Sequence, residues 1–276
     1  MSVTILSPNI WLLVVLFSVG MTIIRMFYTK SMSSLYKWWR PHLAQRQILK
    51  AGESSWFTQF FATAFCLSSY IVLTQPWGFH PSQFVPDYEE KISPAQLIFI
   101  AYEFGFYISS LVYLFKESRN KYSDFYMMLG HHVAVLFLLV LSILYRYQRG
   151  CIFSLWLHDF ADIFLEFSKL CHYLKFDHVA PYTFGCLVPA WGVNRIVVWP
   201  LTALRAFFKV DPAVAAGLPF YSFMRVFQSV IYVLDVAWFG MIMRMVVRSL
   251  KEGLTKDIRS DEDESLQRAP DKPQAQ

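Results

Sequence analysis

The chain has 276 residues, of which 55% are hydrophobic, 18% aromatic and only 16% charged; soluble globular domains run nearer a quarter charged, so this composition belongs in a membrane. The net charge of +5 is carried between apolar runs and forms no continuous stripe, which leaves nucleic-acid binding without support. Four cysteines, Cys66, Cys151, Cys171 and Cys186, lie in or beside apolar stretches without CxxC spacing, which fits buried small hydrophobes better than a disulfide frame or a zinc site.

Apolar runs at 9–28, 56–75, 94–115, 126–145, 151–174, 182–207 and 219–247 each have the roughly 20 residues needed to cross a hydrocarbon layer of ~30 Å. They predict an all-α polytopic membrane protein with about seven transmembrane helices. The first run has no basic segment before it and no small-residue cleavage site, so it reads as a retained span. Lys and Arg collect in the first connection (Arg25, Lys30, Lys37, Arg40, Arg46, Lys50), in the third (Lys116, Arg119, Lys121) and after the last span (Arg244, Arg248, Lys251, Lys256, Arg259). The positive-inside rule then puts the N-terminus outside or lumenal and the C-terminus in the cytosol. Acidic residues from Asp257 to Glu264 mark residues 251–276 as a tail expected to be disordered.

Ionisable side chains cluster where they are costly. His131 and His132 open the fourth run, and Asp159, Asp162, Glu166 and Lys169 recur on one face of the fifth, just after His158. The seventh run repeats the spacing with Arg225, Gln228, Tyr232 and Asp235; the third offers Glu103, Tyr107 and Ser110, and the sixth Arg195. Such stripes predict helices around a hydrated or substrate-filled cavity. A neutral imidazole serves as nucleophile or base, and a buried carboxylate orients it and stabilises the imidazolium, which suits acyl transfer. A metal centre is the next reading, but a single HH pair without HxxHH or HxxxH elsewhere supplies few ligands. A proton-coupled transporter would show broken helix pairs or an inverted repeat, and neither is evident.

The stretch through Ser123-Asp124, Met128, His131-His132, Ser142, Arg149, His158-Asp159, Asp162, Leu165-Glu166 and Lys169 resembles the signature of the TLC-domain ceramide synthases. The likeness extends to Arg25, Glu53-Ser54-Ser55-Trp56, Pro76-Trp77, Glu103, Arg195 and Trp238. The chain departs from that pattern at Ala161, Ile143, Arg146 and Asp235; Asp235 is left to pair with Arg225 or Arg195. The resemblance implies an enzyme of the endoplasmic reticulum membrane that moves a fatty acyl group from acyl-CoA to the amine of a long-chain sphingoid base, in a six-helix ring enclosing a lipid tunnel. It implies acyl-CoA as co-substrate and no other cofactor or metal. His131 would hold the acyl group, His132 would assist, and Asp159 and Asp162 would position the imidazoles and receive the amine. Glu103, Tyr107, His158, Glu166, Lys169, Arg195, Arg225 and Asp235 are candidate substrate contacts. Lys116, Arg119 and Lys121 are candidate CoA phosphate contacts, and Ser260, followed by Asp261-Glu262-Asp263, is a candidate phosphosite.

The implied layout is an N-terminal helix and connector in 1–50, a TLC catalytic domain in 51–250 and the tail in 251–276. Expected partners are acyl-CoA, a sphingoid base and the bilayer; association with itself or with another chain stays open. The competing reading is a noncatalytic TLC-domain lipid sensor or transfer protein, because one fold hosts both.

Overall fold

The computed structural model describes residues 9–86, 92–116 and 124–252. Arg119, Lys121 and Ser260, the side chain of Lys116 and most of the tail lie outside the described residues. Within them every regular element is helical: α1 (Asn9–Trp39), α2 (Gln45–Thr74), α3 (Pro94–Lys116), α4 (Phe125–Tyr145), α5 (Gln148–Tyr173), α6 (Ala180–Phe208), the short α7 (Pro212–Ala216) and α8 (Tyr221–Glu252), with one 3-10 turn at Pro81–Gln83. Helices occupy all seven predicted runs. Six of them are long and apolar enough to cross a membrane. The exception is α5, whose 26 residues span about 39 Å but whose charges interrupt the apolar window.

Local chemistry sets the ends. Ser93 and Gln96 form a reciprocal cap before α3: Ser93 N–H donates to Gln96 Oε1 at 2.8 Å and Gln96 N–H to Ser93 Oγ at 3.3 Å, with Pro94 preset at the first helical position. Gln75, just before Pro76, is extended (φ −91°, ψ 141°) and stops α2, because proline disfavours helical backbone in the residue it follows. Helices α1 and α2 run well beyond their predicted apolar cores. Residues 29–39 follow the predicted span as a basic connection and are instead helical, since nothing before Pro41 breaks the turn.

The chain divides into two compact units, up to Asp235 and from Val236 onward. In the first, α5 is central: α2 packs along it, α6 lies against it, and α3 and α4 touch it. That position reconciles its charges with a membrane protein, because its polar stripe meets protein and not lipid. Outside it, α1 packs on α2 and α3, and its remaining face (Leu12, Leu16, Val19, Ile23) is exposed. A Cβ built on Gly105 of α3 would lie 2.7 Å from the Phe17 backbone, so α1 is seated on bare backbone. Gly105→Leu is expected to cost about 1–3 kcal/mol by overpacking, read as a lowered unfolding temperature in detergent; an unchanged temperature would show that α1 is not held there. In the second unit the described residues continue α8, where Arg244, Arg248 and Lys251 border a shallow groove floored by Gly240.

Candidate active site

The turn between α4 and α5 fixes the register of the two polar helices. Arg146 takes a left-handed conformation (φ 62°) that ends α4, and Tyr147, fully buried, donates from its hydroxyl to the Pro219 carbonyl at 2.8 Å. Arg149 then ties the start of α5 to the Gln83 carbonyl at 3.0 Å. With so short a connection the helices return antiparallel. At 1.5 Å per residue, His131 and His132 lie about 21–23 Å along α4 from Arg146, and Asp159 and Asp162 about 20–24 Å along α5. Equal counts on both arms put the imidazoles and the carboxylates at one level.

There the side chains assemble in two layers. The first surrounds a cavity of about 50 Å³ lined by Tyr107, His131, His158, Trp199, Gln228 and apolar residues of α4, α5 and α8. The Tyr107 ring lies 6.0 Å from that of His131 and 5.6 Å from that of His132, and the two imidazoles are 5.8 Å apart, centroid to centroid. His132 Nδ1–H donates to the Met128 carbonyl at 2.8 Å; in the neutral ring this tautomer leaves Nε2 as the basic nitrogen.

Behind the cavity lies an ionic lattice. Arg195 Nη2 meets Asp162 Oδ2 at 2.6 Å and donates to the His158 carbonyl at 2.9 Å, while Nη1 donates to Asp235 Oδ1 at 3.2 Å. Asp235 Oδ2 takes His158 Nε2 at 2.9 Å, and His158 Nδ1–H donates to the Ser154 carbonyl at 2.7 Å. The Arg195 guanidinium also lies 3.8 Å over the Trp191 ring. Asp235 is 0% and Arg195 2% exposed. Of the two arginines open to Asp235 on sequence, the structure selects Arg195. Helix α6 delivers it through a wide π-helical stretch, Gly192–Val198, that follows Pro189 and is succeeded by another at Pro200–Leu204; each proline removes a helical donor, and the turns widen around the gap.

Two further carboxylates close the neighbourhood. Glu103 is 0% and Asp159 1% exposed, and both Glu103 oxygens and Asp159 Oδ2 are buried without a hydrogen-bond partner among the described residues. Buried carboxylate oxygens are rarely left so, and they are the acceptors this site has in reserve. Among the described residues no three His, Cys, Asp or Glu side chains are grouped to hold a metal ion.

Other candidates fall elsewhere. Glu166 and Lys169 pair locally at 2.6 Å. Arg225, expected on the same stripe as Gln228 and Asp235, turns out of the site and stacks on Phe208 and Tyr221, because it sits at one edge of that stripe, about 80° round the helix from Asp235. Cys151 and Cys171 are buried as expected, whereas Cys66 and Cys186 are exposed. Sequence reasoning missed Ser154, Trp191 and Trp199. Ser154 and Trp191 precede His158 and Arg195 by one helical turn, the spacing at which their contacts form. Trp199 donates from Nε1 to Ser154 Oγ at 2.8 Å, and its ring lies 4.9 Å from that of His158, centroid to centroid and nearly perpendicular; nothing in its local sequence marks it.

A family model described as TLC domain matches residues 50–244. Ceramide synthase 1 LOH3 of Arabidopsis thaliana is 29% identical over 237 residues, covering 79% of this chain and 75% of the relative. Ceramide synthase LOH1 of the same plant is 30% identical over 232 residues, covering 78% and 74%. Ceramide synthase 4 of Bos taurus is 28% identical over 217 residues, covering 77% of this chain and 54% of its own length.

Proposed function

The chain belongs to the TLC domain family, and from that premise we propose that it is a ceramide synthase, transferring a fatty acyl group from acyl-CoA to the amine of a long-chain sphingoid base. The observation that carries this reading is that His131 of α4 and His158 of α5 line one buried cavity, backed by the lattice of Asp162, Arg195 and Asp235.

In the first half-reaction an imidazole nitrogen of His131 attacks the thioester carbonyl. The C–S bond breaks, CoA leaves as thiolate and takes up a proton, and the acyl group rests on the ring. In the second, the sphingoid amine attacks the acyl carbon, the bond to the ring breaks, and the amine proton passes to a neighbouring base, for which His132 Nε2 is set by its tautomer. The incoming ammonium needs acceptors, and the open oxygens of Glu103 and Asp159 supply them. Asp162, which the sequence offered for the amine, is committed to Arg195. A cavity of about 50 Å³ has room for a few waters and not for an acyl chain, so a chain enters by displacing Leu138, Met224 and Ile231 from its walls.

The protein sits in the endoplasmic reticulum membrane with its N-terminus lumenal and its tail cytosolic. Residues 51–250 form the catalytic domain behind an N-terminal helix at 1–50, and acyl-CoA serves as co-substrate without a further cofactor. Lys116, Arg119 and Lys121 take the CoA phosphates from the cytosolic side, and Ser260 is the phosphosite of the tail.

The test is purified protein incubated with acyl-CoA and sphinganine, with products weighed by mass spectrometry. N-acyl sphinganine is expected, and Glu103→Gln should raise the KM for the base about tenfold, a loss of ~1.4 kcal/mol, while the KM for acyl-CoA holds. An inert wild type would leave the lipid-sensor reading in its place, and a KM for the base unmoved in Glu103→Gln would remove Glu103 from amine recognition.

A further inference from the structure

Away from the active site, the outer face of α8 and the end of α6 enclose a groove of about 610 Å³ that opens on the molecule's exterior. Its chemistry changes along its length. At one end Arg225 places its guanidinium carbon 4.2 Å over the Phe208 ring and 5.7 Å from the Tyr221 ring, with Ser222 and Ser229 beside it in the lining. From there Val226, Val230 and Val233 make the wall, one apolar position per turn. Arg225 lies about 6 Å from the start of α8 and Val233 about 12 Å further along, at 1.5 Å per residue. The cation therefore sits at interfacial depth and the wall within the hydrocarbon. Among the described residues no carboxylate pairs with Arg225.

We propose that this groove binds a membrane phospholipid of net negative charge, its phosphate on Arg225 and the Ser222 hydroxyl and one acyl chain along the valines. Two rings hold the guanidinium at the mouth of the groove, and its planar edge of N–H donors is the group that takes a phosphate by two parallel hydrogen bonds. A sphingoid base is excluded as the occupant, since its ammonium would meet a fixed positive charge. The site is separate from the chemistry: Gln228 and Ile231, on the opposite face of the same helix, line the inner cavity, and none of the groove's residues does. Its consequence is that the bilayer's charge composition acts directly on α8, the helix that supplies Asp235.

Full-length protein in mild detergent, saturated with equimolar phosphatidylglycerol and phosphatidylcholine of matched chains, tests this by mass spectrometry of the lipids that survive purification. The wild type is expected to retain the anionic lipid about fivefold over the zwitterionic one, as one charge-assisted contact of ~1 kcal/mol would give. Arg225→Gln should bring the ratio to near unity, Arg225→Lys should keep part of it, and Val230→Trp, which fills the groove and leaves the charge, should lower retention of both lipids. Equal retention by the wild type, or a preference that survives Arg225→Gln unchanged, overturns the proposal. So does displacement of the lipid by millimolar inorganic phosphate alone, which would reduce the groove to a simple anion site.

Discussion

His131→Ala is expected to lower N-acyl sphingoid formation by at least about a thousandfold while the protein still inserts, purifies and elutes as the wild type does. The size follows from the proposed role: removing a positioned nucleophile or base costs ~10²–10⁴, and the covalent route proposed above runs through this ring. His132, fixed through Nδ1 on the Met128 carbonyl, is the proposed base and would have to serve as nucleophile as well, and His158 is held at both ring nitrogens by Ser154 and Asp235. The fold should persist because His131 is only half-buried and lines open space, so its loss enlarges a cavity and strands no charge. A second measurement separates nucleophile from base. Wild type given acyl-CoA alone should gain the mass of one acyl group on the peptide carrying His131, and His131→Ala should gain none. Full turnover by His131→Ala, or an acyl adduct that persists in it, would end the assignment.

The parts of this site that the sequence disclosed are those written at short range. The spacing of Asp159, Asp162, Glu166 and Lys169 set a helical face, and the pairing of His131 with His132 at a span's edge marked the second wall. What α5 could not disclose was which of its charges meet a partner on another helix. Asp162 and Glu166 look alike in sequence, yet one answers Arg195 across the bundle and the other Lys169 one turn away. The failure at Arg225 has a similar origin. Four polar residues at steps of three and four keep to an arc of about 80°, yet its two edges find different partners: Arg225 leans onto Phe208 while Asp235 meets Arg195. The π-helical turns that deliver Arg195 were hidden as well, because Pro189 and Pro200 announce a disturbance without saying whether the helix will kink or widen. Even the count of spans reflects this divide: α5 is a full-length helix that fails a test of apolarity because its neighbours, and not lipid, receive its polar face.

The largest loss of stability should come from Arg195→Met. That side chain bridges Asp162 and Asp235, and it also satisfies the His158 carbonyl. Removing it strips Asp162 of its counter-charge and leaves the fully buried Asp235 with the His158 imidazole alone. Truncating one partner of a buried ion pair costs about 3–5 kcal/mol, most of it the penalty of the charge left behind. The unfolding temperature in detergent should fall accordingly, and turnover with it, as His158 loses the fixed Asp235 that orients its ring. Arg195→Lys should rescue little, since one ammonium cannot reach Asp162, Asp235 and the His158 carbonyl in the geometry the planar fork provides, nor lie flat on Trp191. The informative variant is the double change Arg195→Met with Asp235→Leu. It removes a charge of each sign, and if the lattice is there for chemistry and not for stability, it should recover much of the lost unfolding temperature and none of the lost activity. A double variant as unstable as Arg195→Met alone would place the strain in packing around α6 and take the ionic account away.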